Sequence, residues 1–311
     1  MVSLKRQTIK PAGRAARDAR ILCFMILPFC VFLFLFSYVP LFGWSFSLFD
    51  YKPAIPLTRT PFVGLQKFAE IFKERDAFLN VLKNTFALSF LQLLTTPIPV
   101  AFAILLTEVR SLPFKKLIQT TTTLPNFISW VIVFSLAFNL FSAEGLVNQV
   151  LALFNKDTQQ NVLGDPDAVW VFQTLLRLWK SLGWSAIIYI AAIAGIDGEL
   201  YDAAKVDGAG RFRRMLHITL PGVSSTYIVM LLLAVSSLLN AGSGMDQYLV
   251  FNNPVVAERI EVLDLYVYKM GLVVSDYSYA TAVGIFKSLV SIVLLFSVNF
   301  AAKKIRGQGI F

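Results

Sequence analysis

The chain has 311 residues, of which 56% are hydrophobic and only 15% charged, with a mean hydropathy of +0.65. So little polar material cannot cover a water-soluble globule of this size, which excludes an ordinary soluble enzyme or binding domain. The net charge of +9 needs an explanation of its own, and two cysteines with one histidine, Cys23, Cys30 and His217, leave no disulfide framework and little raw material for a metal site.

The first twenty residues carry six Lys or Arg and read as a basic arm, 1–20. Arg14, Arg17 and Arg20 alternate with Ala12, Ala15, Ala16 and Ala19, a pattern that fits a short interfacial helix or a disordered topology signal. The apolar run at 21–49 is too long for a signal-peptide core and has no small-residue cleavage site, so it reads as a retained span. Uncharged runs follow at 84–107, 117–143, 181–196 and 215–245, with a sixth at 277–302 interrupted only by Lys287. Each reaches or approaches the roughly 20 residues a spanning helix needs. The short fourth run extends back to about Trp170, which leaves Arg177 and Lys180 to snorkel or to face the protein interior. The expected fold is therefore all-α: six spans in one membrane domain, 21–311, with no repeat or linker dividing it. Pro28, Pro40, Pro97, Pro99 and Pro125 fall in or beside these spans, where kinks absorbed by packing are expected.

Lys and Arg then set the direction of threading. The arm carries six, the 108–116 loop three, the 197–214 loop four and the C-terminal tail three, which makes sixteen on one side. The loops 50–76, 142–169 and 246–280 carry five, one and two, which makes eight on the other. Both termini are expected in the cytoplasm. Topology and anionic lipid thus explain the net charge, and a nucleic-acid partner is not required.

No catalytic chemistry is legible. The chain contains no Gly-Lys dipeptide, so a phosphate-cradling P-loop is absent. The acidic residues lie outside the apolar runs, which gives little support to coupling with an ion gradient. His217, between Leu216 and Ile218, reads as a structural residue near the interface. A transporter driven by an outside source of work is the leading expectation, and a six-helix secondary carrier or channel is the alternative.

The loop 197–221 has helix signals at both ends. Asp197 can cap the free amides, Glu199 and Asp202 complement the positive end of the dipole, and Gly208 offers a left-handed stop. Ala203, Ala204 and Gly208 share nearly one face and would let another protein surface come close, while Leu200 and Tyr201 add apolar contact. Arg211 to Arg214 supply a basic segment, and Pro221 opens the fifth span. An ordinary amphipathic interfacial loop fits the spacing equally well.

Asp202-Ala203-Ala204, Asp207-Gly208-Ala209 and Ile218-x-Leu220-Pro221 stand in register over twenty residues. This resembles the E-A-A-x-x-D-G-A…I-x-L-P signature of permease subunits of bacterial ATP-binding-cassette importers. Asp202 stands where Glu is usual and Met215 where an aromatic is usual. Tyr38-Val-Pro-Leu-Phe-Gly, Phe62-Val-Gly-Leu-Gln-Lys-Phe, Leu124-Pro-Asn-Phe-Ile-Ser-Trp-Val, Glu144-Gly-Leu-Val-Asn, Ser278-Tyr-Ala-Thr-Ala-Val-Gly and Gly309-Ile-Phe extend the resemblance over nearly the whole chain. They are similar to the carbohydrate-uptake branch, in particular to the first permease of aldouronate, pectin and alginate oligosaccharide importers. The resemblance implies a non-catalytic type I importer permease in a bacterial cytoplasmic membrane. Its implied partners are a second, different permease, two ATPase subunits that bind the ATP and Mg²⁺, and an extracytoplasmic sugar-binding protein. It implies that Leu200, Tyr201, Asp202, Ala203, Ala204, Asp207, Gly208 and Ala209 form a coupling helix docked on an ATPase. For the sugar path, hydroxyl, amide and aromatic groups are needed: Ser236, Asn240, Gln247 and Tyr248 are the candidates, with Lys287 able to meet a uronate carboxylate.

Overall fold

The computed structural model describes residues 12–73, 75–154, 161–239 and 244–306, and those are helical apart from turns, loops and one bridge between Phe49 and Phe62. Helix α1 (Ala12–Leu33) runs from the arm into the first apolar run without a break. It then widens to a π turn at Phe34–Tyr38 and tightens to a 3-10 stretch at Val39–Leu48. Pro40 has no N–H to give the carbonyl of Phe36, so the regular ladder cannot pass that point. Residues 21–42 are exposed nearly all round, a surface fit for lipid or another subunit and not for water. Beyond them, α2 (Gln66–Lys73) brings Lys67 to Asp276 at 2.9 Å, Glu70 at 3.3 Å and Asp50 at 3.9 Å.

The second span is α3 (Arg75–Thr95) continued by α4 (Pro97–Thr107). The third departs from expectation. The run 117–143 is not one helix: α5 (Leu112–Thr123) ends in a 3-10 turn at Leu124–Phe127, and α6 (Trp130–Phe141) starts afresh. Pro125 disrupts the ladder, and the Ser129 hydroxyl accepts the amide of Ile132 as a new cap. Helix α7 (Leu146–Phe154) follows.

Helix α8 (Val169–Ala194), 26 residues, forms the fourth span and turns through 70° into α9 (Gly198–Val206). Helix α10 (Arg211–Arg214) leads through a π turn at Met215–Thr219 into α11 (Leu220–Ser236). Pro221 repeats there the effect of Pro40, since the carbonyl of His217 loses its ordinary donor. Three short helices, α12 (Met245–Val250), α13 (Ala257–Ile260) and α14 (Leu263–Tyr268), precede α15 (Tyr277–Arg306). Five helices among the described residues are long and apolar enough to cross a membrane, and the bent pair α8–α9 makes a sixth.

The core has three clusters, one of which joins α2, α3, α14 and α15 through Ile71, Phe78, Val81, Leu263 and Val283. At the end carrying α12–α14, Leu88, Ala137, Val169, Phe251, Ile260 and Leu265 pack together. The backbone there needs partners as well as apolar cover. Asn84 Nδ2 donates to the carbonyls of Glu258 (2.7 Å) and Glu261 (3.2 Å), Trp170 Nε1 donates to Arg259 O (2.6 Å), and the amide of Leu263 donates to the Thr85 hydroxyl (2.9 Å). At the α9 end, Val100, Ala103, Ile104, Ala186, Tyr189 and Val223 join α4, α8 and α11. Gly183 lets α8 lie against the backbone of α5, since a Cβ there would meet the Thr122 carbonyl carbon and oxygen at 2.4 Å.

Candidate functional site

Two features stand out: the projecting helix α9 and a polar cleft at membrane depth. Asp197 caps α9 by accepting the amide of Glu199 at 3.0 Å, and Gly208 ends it with φ +73°, a backbone state that favours glycine. Nothing lies within 4 Å of where a Gly208 Cβ would be, so open space surrounds the turn. Leu200 is exposed, Val206 is 88% exposed and Phe212 72% exposed. Such a cluster of apolar side chains on a polar segment is fit for covering by a protein surface.

The eight residues expected to form the docking face do not all point outward. Asp202, Ala203, Asp207 and Gly208 are exposed, and Ala204 and Ala209 half-buried. Asp202 bonds Lys205 at 2.7 Å, and that hydrogen bond and charge hold its carboxyl below the ordinary carboxylate range. Tyr201 is half-buried, and its hydroxyl meets that of Thr219 at 2.9 Å. Tyr201 thus ties α9 to the start of the fifth span instead of adding to an outward apolar contact. Arg211 reaches Glu108 at the end of α4, 3.8 Å away. With the α8 junction, these links make α9 a crossbar between two spans. Val206 at the end of α9 and Phe212 on α10, which sequence reasoning passed over, are the most exposed apolar groups of this segment; the signal was a large apolar residue on each side of the Asp207-Gly208 turn.

Three of the residues expected to line a sugar path, Gln247, Tyr248 and Lys287, are engaged with other side chains. The Ser236 hydroxyl donates to Leu233 O within its own helix. Gln247 is fully buried, and its Nε2 donates to the carbonyl (2.8 Å) and Oε1 (2.7 Å) of Gln173. Tyr248 is buried and hydrogen-bonded to Arg177. Lys287 is ion-paired with Asp264. Gln247, Tyr248 and Lys287 are so placed because α12–α14 fold in against the spans, whereas the intrahelical bond of Ser236 is of the kind that Thr95, Thr96 and Ser181 also make and leaves it a candidate. Asn240 lies outside the described residues.

A different set of residues forms a suitable cleft. Gln92, Thr95 and Thr96 at the α3–α4 junction face Ser181, Trp184, Ser185 and Tyr189 of α8 and Met230 of α11 across about 290 Å³. Hydroxyls, an amide and aromatic faces, set among apolar groups such as Leu178, Ile188 and Leu231, are suitable for a sugar. A larger cleft of about 620 Å³ between α4 and α10–α11 is lined by Val100, Ile104, Phe212, Met215 and other almost wholly apolar groups, and offers a sugar few partners. Lys180 precedes Ser181 on α8 but is not among the groups that line the cleft. Its Nζ donates to Asn126 O at 2.8 Å, satisfying a carbonyl freed by the α5–α6 break, and rests 5.4 Å from the centre of the Trp130 ring.

Known proteins share this architecture. A permease protein of Bacillus subtilis for polygalacturonan/rhamnogalacturonan transport, YteP, is 41% identical over 92% of this chain and 89% of its own length. Protein LplB of the same organism is 39% identical over 92% and 90%. Among solved structures, a chain of a bacterial ABC transporter involved in import of the acidic polysaccharide alginate superposes with a TM-score of 0.83 at 30% identity, covering 94% of this chain and 99% of that one. A chain of the bacterial alginate ABC transporter in complex with alginate pentasaccharide-bound periplasmic protein gives 0.84 at 30%, covering 96% and 99%. Residues 96–307, which hold the break, α9 and most of the polar cleft, match the family model described as binding-protein-dependent transport system inner membrane component, and the chain belongs to that family.

Proposed function

We propose that this chain is one of two different permease subunits of an ATP-binding-cassette importer that carries acidic, uronate-containing oligosaccharides, such as alginate or pectin fragments, into the bacterial cytoplasm. Both termini and α9 lie in the cytoplasm in this reading. Two ATPase subunits bind ATP and Mg²⁺, and an extracytoplasmic binding protein delivers the sugar. The observation that carries the reading is α9 itself: a capped helix with exposed Leu200 and Val206, bent 70° from α8 and tied to the fifth span by Tyr201–Thr219. Movement of whatever covers that face is passed to α8 and α11, which form two walls of the polar cleft. The substrates named for similar proteins, polygalacturonan, rhamnogalacturonan and alginate, support the uronate class.

Copurification tests it. A tagged form of the chain, extracted gently from its native host, should bring down a second permease and two nucleotide-hydrolysing subunits. In vesicles, that complex should take up a uronate oligosaccharide only with ATP and the binding protein present. Uptake by the chain alone under an ion gradient would point to the carrier reading instead.

A further inference from the structure

We propose that Lys180 is a specificity-determining residue that reads the carboxylate of an anionic sugar at mid-membrane, an inference that rests on the importer reading. Lys180 lies eleven residues into the 26-residue helix α8, about 16 Å from its start at 1.5 Å per residue, and its side chain is buried. A charge at that depth is costly and ordinarily meets a counter-charge. The fold supplies such a partner to three other lysines. Lys67 has Asp276, Glu70 and Asp50, Lys269 has Glu261 at 2.7 Å, and Lys287 has Asp264. Lys180 receives a backbone carbonyl and an aromatic ring, and among the described residues no carboxylate lies within ion-pair distance of it.

An ammonium has three donors. Asn126 O takes one and the Trp130 face attracts the charge from one side, which leaves donor capacity and an unneutralised positive charge. Lys180 is not itself part of the lining of the polar cleft, but two of its neighbours on α8 are. Ser181, the next residue, and Trp184, one turn on, both line it. Trp184 also meets Phe127 edge to face at 5.7 Å, next to the Asn126 that Lys180 holds. A sugar ring seated against Trp184 and the Ser181 hydroxyl would bring a ring carboxylate toward this ammonium, where a charge-assisted hydrogen bond completes its shell.

The bland role for Lys180 is to cap the α5–α6 break, and Lys180→Gln separates the two: the amide can still donate to Asn126 O but carries no charge. The complete importer is reconstituted with its binding protein, and uptake of an oligogalacturonide and of a neutral oligosaccharide of similar length is measured. Each variant rate is divided by the wild-type rate for the same sugar. The expected result is an about tenfold loss for the acidic sugar in Lys180→Gln, little change for the neutral one, and near wild-type acidic uptake in Lys180→Arg. Equal losses on both sugars, or undiminished acidic uptake in Lys180→Gln, overturn the proposal. A wild-type complex that carries only the neutral sugar overturns it too and leaves the importer reading standing, whereas one that carries neither sugar removes that reading as well. If the wild type carries only the acidic sugar, the contrast between the Arg and Gln variants decides, with parity between them counting against charge recognition.

Discussion

Lys287 shows how far a single side chain can mislead. In the sequence it is a lone charge in an apolar run, and a free cation at that position invites an anionic ligand. Its partner Asp264 stands 23 residues earlier, in a stretch that reads as an outer loop; α14 folds in and brings the two together. Lys287→Met should therefore act through stability, because it strands a partly buried carboxylate. The expected loss is about 1–3 kcal/mol, read as a lowered Tm of the solubilised complex. Adding Asp264→Leu should restore most of it, and acidic and neutral sugars should be affected alike. Lys67 makes a second case. Burial lowers its affinity for a proton, but hydrogen bonds and charge from Asp276 and Glu70 prevail and raise it above the ordinary 10.5. A raised lysine contributes its stability in full below its unfolded value and loses it only as pH climbs through the folded one. The lysine's share should therefore be constant from pH 6 to 9, and Lys67→Met should lower Tm by the same amount at both. A difference that grows within that range would contradict the assignment.

Elements were legible where charge punctuates them and obscure where only backbone geometry does. Charged boundaries marked the spans well, and α9 was announced by Asp197 and Gly208. The break between α5 and α6 was hidden because no charge interrupts 117–143; Pro125 and Ser129 were its only signals. Arg177 and Lys180 were left to snorkel or turn inward, and the freed carbonyl at Asn126 is why Lys180 turns inward. The same junction gives a steric prediction. Gly183→Val would force a side chain into the Thr122 backbone, and rigid backbone on both sides gives it nowhere to go. The variant should fail to assemble, measured as loss of the intact complex on extraction. Gly208 should behave differently, since space is open there and only φ +73° constrains it. Gly208→Asn, which tolerates the left-handed region, should assemble and transport better than Gly208→Val; the ratio of uptake to protein in the membrane reads this.

At the scale of the whole molecule, composition and charge asymmetry led to a six-span membrane protein, and the superposition on alginate transporter chains has the same architecture. The polar cleft was out of reach from sequence because it draws on Gln92, Ser181 and Met230, brought together by helix packing that no local pattern encodes. In the proposed orientation, single cysteines added to a background without Cys23 and Cys30 should divide by side. A cysteine at Asp207 should react with an impermeant thiol reagent only from the cytoplasm, and one at Asn161 only from outside. The central claim is that α9 transmits work from a separate ATPase. Its most direct test is binding-protein-stimulated ATP hydrolysis by the reconstituted complex carrying Leu200→Asp and Val206→Asp, two exposed sites where charge leaves the fold intact. The account predicts that stimulation by the sugar-loaded binding protein disappears and uptake falls with it, while the permease still inserts in the membrane. Full stimulation and full uptake in that variant would contradict it.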